Sequence, residues 1–243
     1  MPTATPILII EAFNPGPFAT NCYLVYTEVD GQTAKPCWFV DAGVRPEAMI
    51  SRAKLLELEP NALVLTHTHF DHILGVPDVR NAFTNFPVLL HQAEEGWLAN
   101  PERNLSTFIN QPISLPEADR FIADEETLTL GTTTWEVRHV PGHSPGSIAL
   151  YHDGPVRFIP PSSGSHAATT ITAPRVVIDG DALFHGSIGR TDFPGSSQQQ
   201  LAQSIRAKLY TLPRDTLVLP GHGDSTTIGR EFDSNPFVPG KLR

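Results

Sequence analysis

The run Thr66-His67-Thr68-His69-Phe70-Asp71-His72 constrains this chain more than any other feature. Four side chains able to hold a metal crowd into one short stretch. They follow Ala62-Leu63-Val64-Leu65, a fully apolar segment that reads as a short strand buried on both faces. The cluster is therefore delivered at the C-terminal end of a core strand. His67 and His69 stand two positions apart. A helix would turn them about 200° away from each other, whereas an extended segment puts them on one side. Asp71 and His72 then fall on the turn or helix start that follows and approach from another direction. Imidazole and carboxylate donors without thiolates suit zinc, iron or manganese, and speak against a structural Cys-rich zinc site.

Three distant residues fit the same task. His143 lies in Pro141-Gly142-His143-Ser144-Pro145-Gly146, Asp181 in Asp179-Gly180-Asp181, and His222 in Pro220-Gly221-His222-Gly223. Each sits beside Gly or Pro at the end of an apolar run, where a loop can bring a ligand close to a metal. A lone histidine near a strand end is ordinarily a hydrogen-bonded polar residue, so His91, His139, His152 and His185 receive no role. His185 is the least secure of these, because it lies four residues after Asp181. Chance supply of the whole seven-residue set is a far weaker explanation than a metal site.

The remaining pattern sets the scaffold. Ile7 to Glu11, Asn21 to Tyr26 and Cys37 to Val40 read as strands, with turn signals at Asn14-Pro15-Gly16-Pro17 and Asp30-Gly31. Pro46 opens a helix from Glu47 to Leu58 on the spacing of Met49, Ile50, Ala53, Leu56 and Leu58, and Pro60-Asn61 ends it. Val88 to Leu90 is a strand, Gln92 to Ala99 a short helix, and 100–126 irregular and polar. Thr127 to Leu130, Thr133 to Val140 and Ser147 to Tyr151 alternate like strands. Residues 160–174 read as a mobile surface insertion in which His166 is solvated. Val176 to Ile178 and Leu217 to Leu219 are core strands, and Gln198 to Tyr210 is a helix with Leu201, Ile205 and Leu209 on one face. Strands in two blocks, each with helices, predict an α/β fold of two helix-covered sheets. No linker divides the chain, so residues 1–243 are expected to form one domain.

Composition narrows the partners. Seventeen basic residues against 26 acidic ones give a formal charge of −9, with no basic stripe, which argues against nucleic acid. The apolar run Ile7-Leu8-Ile9-Ile10 lacks the basic flank and cleavage site of a signal peptide, and nothing approaches 18 uninterrupted apolar residues. The expected location is the cytoplasm. Cys22 and Cys37 read as small buried apolar residues on strands. The segment Gly142-His143-Ser144-Pro145-Gly146 matches a serine-hydrolase pattern, but that motif needs a helix after the turn. Ser147-Ile148-Ala149-Leu150-Tyr151 reads as a strand, so Ser144 is rejected as a nucleophile. Asp192 and Asp215 are read as turn or cap residues, and Asp179 either supports the site or ends a strand.

T-H-x-H-x-D-H followed by a distant His, an Asp and a final His resembles the ligand set of the metallo-β-lactamase fold superfamily. His67, His69, Asp71, His72, His143, Asp181 and His222 match it in order. The resemblance implies a four-layer αββα sandwich and two divalent metal ions, zinc first, with iron or manganese as alternatives. It places His67, His69 and His143 on one metal and Asp71, His72 and His222 on the other, with Asp181 bridging. Asp41, in Val40-Asp41-Ala42-Gly43, matches an early aspartate that supports the site without ligating. The segments 180–184, Gly189-Arg190-Thr191-Asp192-Phe193, 219–223 and Asn235-Pro236-Phe237 look like the short branch of type II glyoxalases, the hydroxyacylglutathione hydrolases. That likeness implies thioester hydrolysis by a metal-bridging hydroxide. Asp71 and Asp181 would serve as catalytic residues and Arg190 as a substrate contact. S-lactoylglutathione or another hydroxyacylglutathione would be the substrate, and the enzyme a monomer or small homo-oligomer. The C-terminal helical domain that supplies much of the glutathione site in two-domain glyoxalases has no counterpart in this sequence. Persulfide dioxygenases share the fold and most of these motifs, and use one iron on residues matching His67, His143 and Asp181. Lactonases share the fold as well.

Overall fold

The computed structural model describes residues 7–14, 16–28, 35–161 and 169–240. In chain order its strands are Ile7–Phe13 (β1), Cys22–Glu28 (β2), Pro36–Val40 (β3), Glu59–Val64 (β4), Val88–His91 (β5), Arg120–Ile122 (β6), Thr127–Leu130 (β7), Thr133–His139 (β8), Ile148–His152 (β9), Val156–Ile159 (β10), Ile171–Ala173 (β11), Val176–Gly180 (β12), Leu183–Phe184 (β13), Ser187–Ile188 (β14), Leu217–Pro220 (β15) and Thr226–Thr227 (β16). The α-helices are Glu47–Leu55 (α1), Phe70–Ile73 (α2), Val76–Ala82 (α3), Gln198–Ser204 (α4) and Ile228–Ser234 (α5). Among the described residues one large sheet runs β11-β10-β1-β2-β3-β4-β5-β6 and the other β16-β15-β12-β9-β8-β7, and β13 and β14 pair as a small hairpin.

The two-residue period of the strands builds the layers. Leu8, Ile10, Val25, Trp38, Val40 and Val64 face inward and meet Leu128, Trp135, Val137, Leu150, Ile178 and Leu219 of the second sheet. Their neighbours Ile9, Leu24, Phe39, Leu63 and Leu65 point outward onto Met49, Ile50 and Ala53 of α1 and Val76 and Val79 of α3. On the far side Ala149, Val177 and Val218 pack on Leu201, Ile205 and Leu209. Helix, sheet, sheet and helix therefore stack as the expected four-layer αββα sandwich. Trp38 and Trp135 meet across the two sheets with ring centroids 5.7 Å apart. Removing either buried indole costs about 3–5 kcal/mol.

Local chemistry corrects several sequence expectations. The helix from Glu47 stops at Leu55 rather than Leu58, because Glu57 adopts a left-handed φ of 56° and the Leu58 N–H returns to the Ala53 carbonyl at 2.9 Å. Pro60 then lies inside β4. A register shift skips Asn61, which tolerates the missing N–H. Gln92 to Ala99 is no α-helix; only the 3₁₀ turn Gln92–Glu94 forms. The polar stretch 100–126 contains a second 3₁₀ turn, Ser106–Ile109, and β6, which extends the first sheet in parallel. In the expected insertion, Ile171–Ala173 is an edge strand paired with β10. Residues 162–168, with His166, lie outside the described residues, as do Pro15 and the Asp30-Gly31 turn. The helix from Gln198 continues past α4 as a π-helical turn, Ile205–Leu209. No helix among the described residues is long and apolar enough to cross a membrane.

Candidate metal centre

Parallel pairing brings the chemistry to one edge. β3 and β4 run parallel, as do β12 and β15. Each pair therefore ends at a common edge, releasing Asp41 and residues 66–72 from the first sheet and Asp181 and His222 from the second. The edges are stitched together: Ile148 N–H donates to the Thr66 carbonyl at 3.0 Å, and Asn21 N–H donates to the Gly221 carbonyl at 2.7 Å. Two glycines make the approach feasible. Gly180 has a φ of 51°, and a Cβ there would sit 2.6 Å from Thr66 Oγ1. A Cβ on Gly221 would collide with Asp181 Oδ1 and reach His72 Cε1 at 2.8 Å.

The seven sequence-predicted residues converge. His67 Nε2 and His143 Nε2 are 3.2 Å apart, and His143 Nε2 and His69 Nδ1 2.8 Å. Beyond them His222 Nε2 lies 3.1 Å and His72 Nε2 3.7 Å from Asp71 Oδ2. Asp181 stands between the groups, with Oδ1 3.4 Å from His72 Nε2, and Oδ2 3.6 Å from His143 and 3.5 Å from His222. Among the described residues three groups with cation-binding spacing result: His67, His69 and His143; His67, His72 and Asp181; and Asp71, His72 and His222.

A cation fits these donors. His72 Nε2 and Asp181 Oδ1 are buried and make no hydrogen bond. Orphaned polar atoms of this kind are costly, and a metal bonded at about 2 Å to both would satisfy them. On His67, His72 and His143 the Nδ1 atom is already committed, which leaves Nε2 of those three rings for the centre. His143 Nδ1 donates to the Arg190 carbonyl at 2.8 Å, and His72 Nδ1 donates to Asp41 Oδ2 at 2.7 Å. Burial, helped by neighbouring imidazoles, holds His67, His69 and His143 below the usual histidine range, so their rings are neutral and able to ligate a cation. Burial opposes charge on His72 and on Asp71 and Asp181 alike. The attraction between them prevails, raising His72 and keeping both carboxylates ionised. That concentrated negative charge is what a divalent cation would compensate.

Asp41 supports the site without reaching it. Its carboxylate accepts from Thr66 N–H and Thr66 Oγ1, both at 2.7 Å, besides His72. Four further contributors carry no sequence signal. Thr20 Oγ1 donates to Asp71 Oδ2 at 2.8 Å. Asn21 Nδ2 and the Tyr23 hydroxyl donate to the Pro220 carbonyl, fixing the His222 loop. Buried Glu94 accepts from Thr68 Oγ1 at 2.7 Å, from Gly146 N–H at 3.0 Å and from Ser144 Oγ, so one carboxylate ties the His67–His72 loop to the His143 loop. Ser144 is thereby immobilised rather than poised as a nucleophile. Asp179 is wholly buried and caps the turn after β12 through Leu183 N–H. Cys22 and Cys37 are buried, which pushes both thiols up to about 12 and leaves them inert. His185 is exposed.

Above the centre opens a cleft of about 500 Å³. Arg190 lines it, but its guanidinium is exposed and engaged by Asp192 at 2.9 and 2.7 Å.

A model of the metallo-beta-lactamase superfamily matches residues 15–157 and 152–222. A probable metallo-hydrolase, YqgX of Bacillus subtilis, is 36% identical over 226 residues, covering 93% of this chain and 95% of the relative. The hydroxyacylglutathione hydrolase GloC of Haemophilus influenzae is 33% identical over 244 residues, covering 96% and 99%. Among solved structures, the BLEG-1 B3 metallo-beta-lactamase superposes with a TM-score of 0.78 at 38% identity, covering 94% of this chain and 99% of that one.

Proposed function

This chain belongs to the metallo-beta-lactamase superfamily, and from that premise we propose that it is a two-metal thioester hydrolase. The observation that carries this reading is the shortage of spare acids. The ionisable groups lining the cleft are His69, Asp71, His143, Asp181, His222 and Arg190. All but Arg190 belong to the ligand clusters or bridge them, and Arg190 is paired. A leaving group that departs here must do so without a dedicated proton donor. A thiol, ionising near pH 8.5, does this readily, whereas an alkoxide and above all an unstrained amide nitrogen are far poorer leaving groups without one.

His67, His69 and His143 would hold one metal, Asp71, His72 and His222 the other, and Asp181 both. Zinc is the first choice, with iron or manganese compatible with the same donors. Bound there, two divalent ions would polarise the carbonyl and lower the pKa of a water from about 16 toward about 7. The chain's own residues do the orienting. Asp71 and Asp181, both kept ionised, accept hydrogen bonds from the attacking water, and the Thr20 hydroxyl holds Asp71 Oδ2 toward it. Attack forms a C–O bond and breaks the C–S bond. The thiolate leaves with the bonding pair, and the carboxylate product releases its proton to solvent. The same reading makes residues 1–243 one domain, a cytoplasmic small-molecule enzyme acting as a monomer or small homo-oligomer.

GloC supports hydroxyacylglutathiones as substrates. A second reading, β-lactam hydrolysis, is favoured by the 38% identity to BLEG-1. The one-iron dioxygenase alternative would leave the cluster of Asp71, His72 and His222 without a task. Elemental analysis combined with rates on S-lactoylglutathione, a chromogenic β-lactam and glutathione persulfide tests all three. The expected result is about two metals per chain and chelator-sensitive thioester cleavage. Lactam turnover without thioester turnover would move the assignment to the second reading. One iron with oxygen uptake on the persulfide would move it to the dioxygenase.

A further inference from the structure

Five phenylalanines from separate parts of the chain surround the metal centre: Phe18, Phe70, Phe108, Phe184 and Phe193. They flank it on both sides. Phe193 packs edge-on against His69 at 5.4 Å and near Phe108 at 6.4 Å. Phe184 stands 6.1 Å from His222, and Phe18 meets Phe70 edge-on at 4.9 Å beside Asp71. Phe108 is 66% exposed and Phe18 36%. Large aromatic side chains held at a cleft mouth, rather than folded into the core, mark a surface that a ligand covers.

The charges at this mouth are equally specific. Among the described lining residues Arg190 is the one lysine or arginine. Its guanidinium makes a two-pronged contact with Asp192 and lies 4.5 Å over the Phe193 ring. Arg190 and Asp192 together contribute no net charge. Glutathione carries two carboxylates, and binding them calls for unpaired cationic donors. This cleft instead offers apolar faces on either side of the reacting carbon.

We propose that this cleft selects thioesters with an apolar acyl chain on a small uncharged thiol, and that the anionic arms of glutathione contribute nothing to recognition. The proposal rests on the thioester-hydrolase reading above and narrows it. The carbonyl would lie over Asp181, the acyl chain against Phe108 and Phe193, and the thiol part toward Phe18 and Phe184.

The test is a series of N-acetylcysteamine thioesters from acetyl to hexanoyl, run on the metal-loaded enzyme beside S-lactoylglutathione. kcat/KM is expected to rise about twofold to threefold per methylene, approaching the value for full burial of each group. Phe108→Ala, at an exposed position that the fold does not need, should cut the hexanoyl-to-acetyl ratio about fivefold. Asp192→Asn, which frees Arg190, should raise kcat/KM for S-lactoylglutathione a few-fold and leave the hexanoyl-to-acetyl ratio unchanged. Equilibrium binding of hexanoate and acetate to wild type and Phe108→Ala supplies a readout independent of turnover, with the same loss of chain-length preference. A flat chain-length series, or S-lactoylglutathione preferred over the hexanoyl ester, overturns the proposal and leaves thioester hydrolysis standing. No cleavage of any thioester removes both.

Discussion

Asp41 concentrates three hydrogen bonds on one buried carboxylate held at a φ of 59°, a conformation that aspartate and asparagine tolerate better than other side chains. An Asp41→Asn substitution keeps the shape and changes the proton. The new amide would present N–H groups to Thr66 or to His72 Nδ1, pushing the imidazole proton onto Nε2, where the metal must bind. We predict a 10–100-fold loss of metal affinity, roughly the effect seen for outer partners of ligating histidines, measurable by competition with a chromophoric chelator. Glu94 acts on the other group of ligands. Glu94→Ala strands the Gly146 N–H and two hydroxyls in a dry environment, and should cost about 2–4 kcal/mol in urea unfolding. Glu94→Gln should recover part of that loss. His91 bears on acid stability. It stacks on His139 with centroids 3.9 Å apart, and burial, with the neighbouring imidazole, lowers it from 6.5 to about 4. The unfolded chain therefore binds this proton first. The contribution is intact above pH 6.5 and is lost as pH falls from about 6.5 to about 4. His91→Phe should keep the stack and flatten that part of the urea-midpoint profile relative to wild type. The metal-binding candidates were legible in the sequence because chemistry restricts which side chains can serve. Glu94 and Thr20 were not, because their partners lie far away in sequence and any residue type could have stood there.

The elements that were legible are those with strong periodicity or apolar runs: β1 to β5, β7 to β9, β12, β15, the helix from Glu47 and the helix from Gln198. Those that were missed are short and depend on partners. β10 and β11 exist because the far edge of the first sheet offers β1 as a template, and α5 is a seven-residue helix capped by Thr227. Element packing also positions ligands. Helix α4 lies against the His143 loop: Ser197 N–H donates to the Gly142 carbonyl at 2.7 Å and Ser204 Oγ to that of Pro141 at 2.7 Å. Gly142 has a φ of 135°, and any Cβ there would land on the backbone of Leu201. Gly142→Ala must therefore push the helix and the loop apart. We expect a cost of about 3 kcal/mol or more and selective loss of one metal per chain. Thermal unfolding with elemental analysis would show it, and full metal content in a folded variant would contradict it.

Across the molecule, the largest core is shared by both sheets rather than owned by either. Neither sheet has a complete interior alone, so heat or urea should give one cooperative transition, read identically by tryptophan fluorescence and far-ultraviolet circular dichroism. Metal removal should lower its midpoint, since a metal held by residues from four loops binds the folded state and not the unfolded one. Two helix-covered sheets could be inferred from the strand blocks. That their edges meet at one site was read from the shared ligand set and not from the strands, because parallel pairing of β12 with β15 leaves no local mark in the sequence. The order of the ligands along the chain also gives the centre a history. His67, His69 and His143 are all synthesised before β12 and β15, whereas Asp181 and His222 come late. The three histidines of the first group are thus available to a cation before the strands that would complete the centre exist. Which ion the finished protein carries can then depend on which ion is most available during synthesis, and only afterwards on affinity.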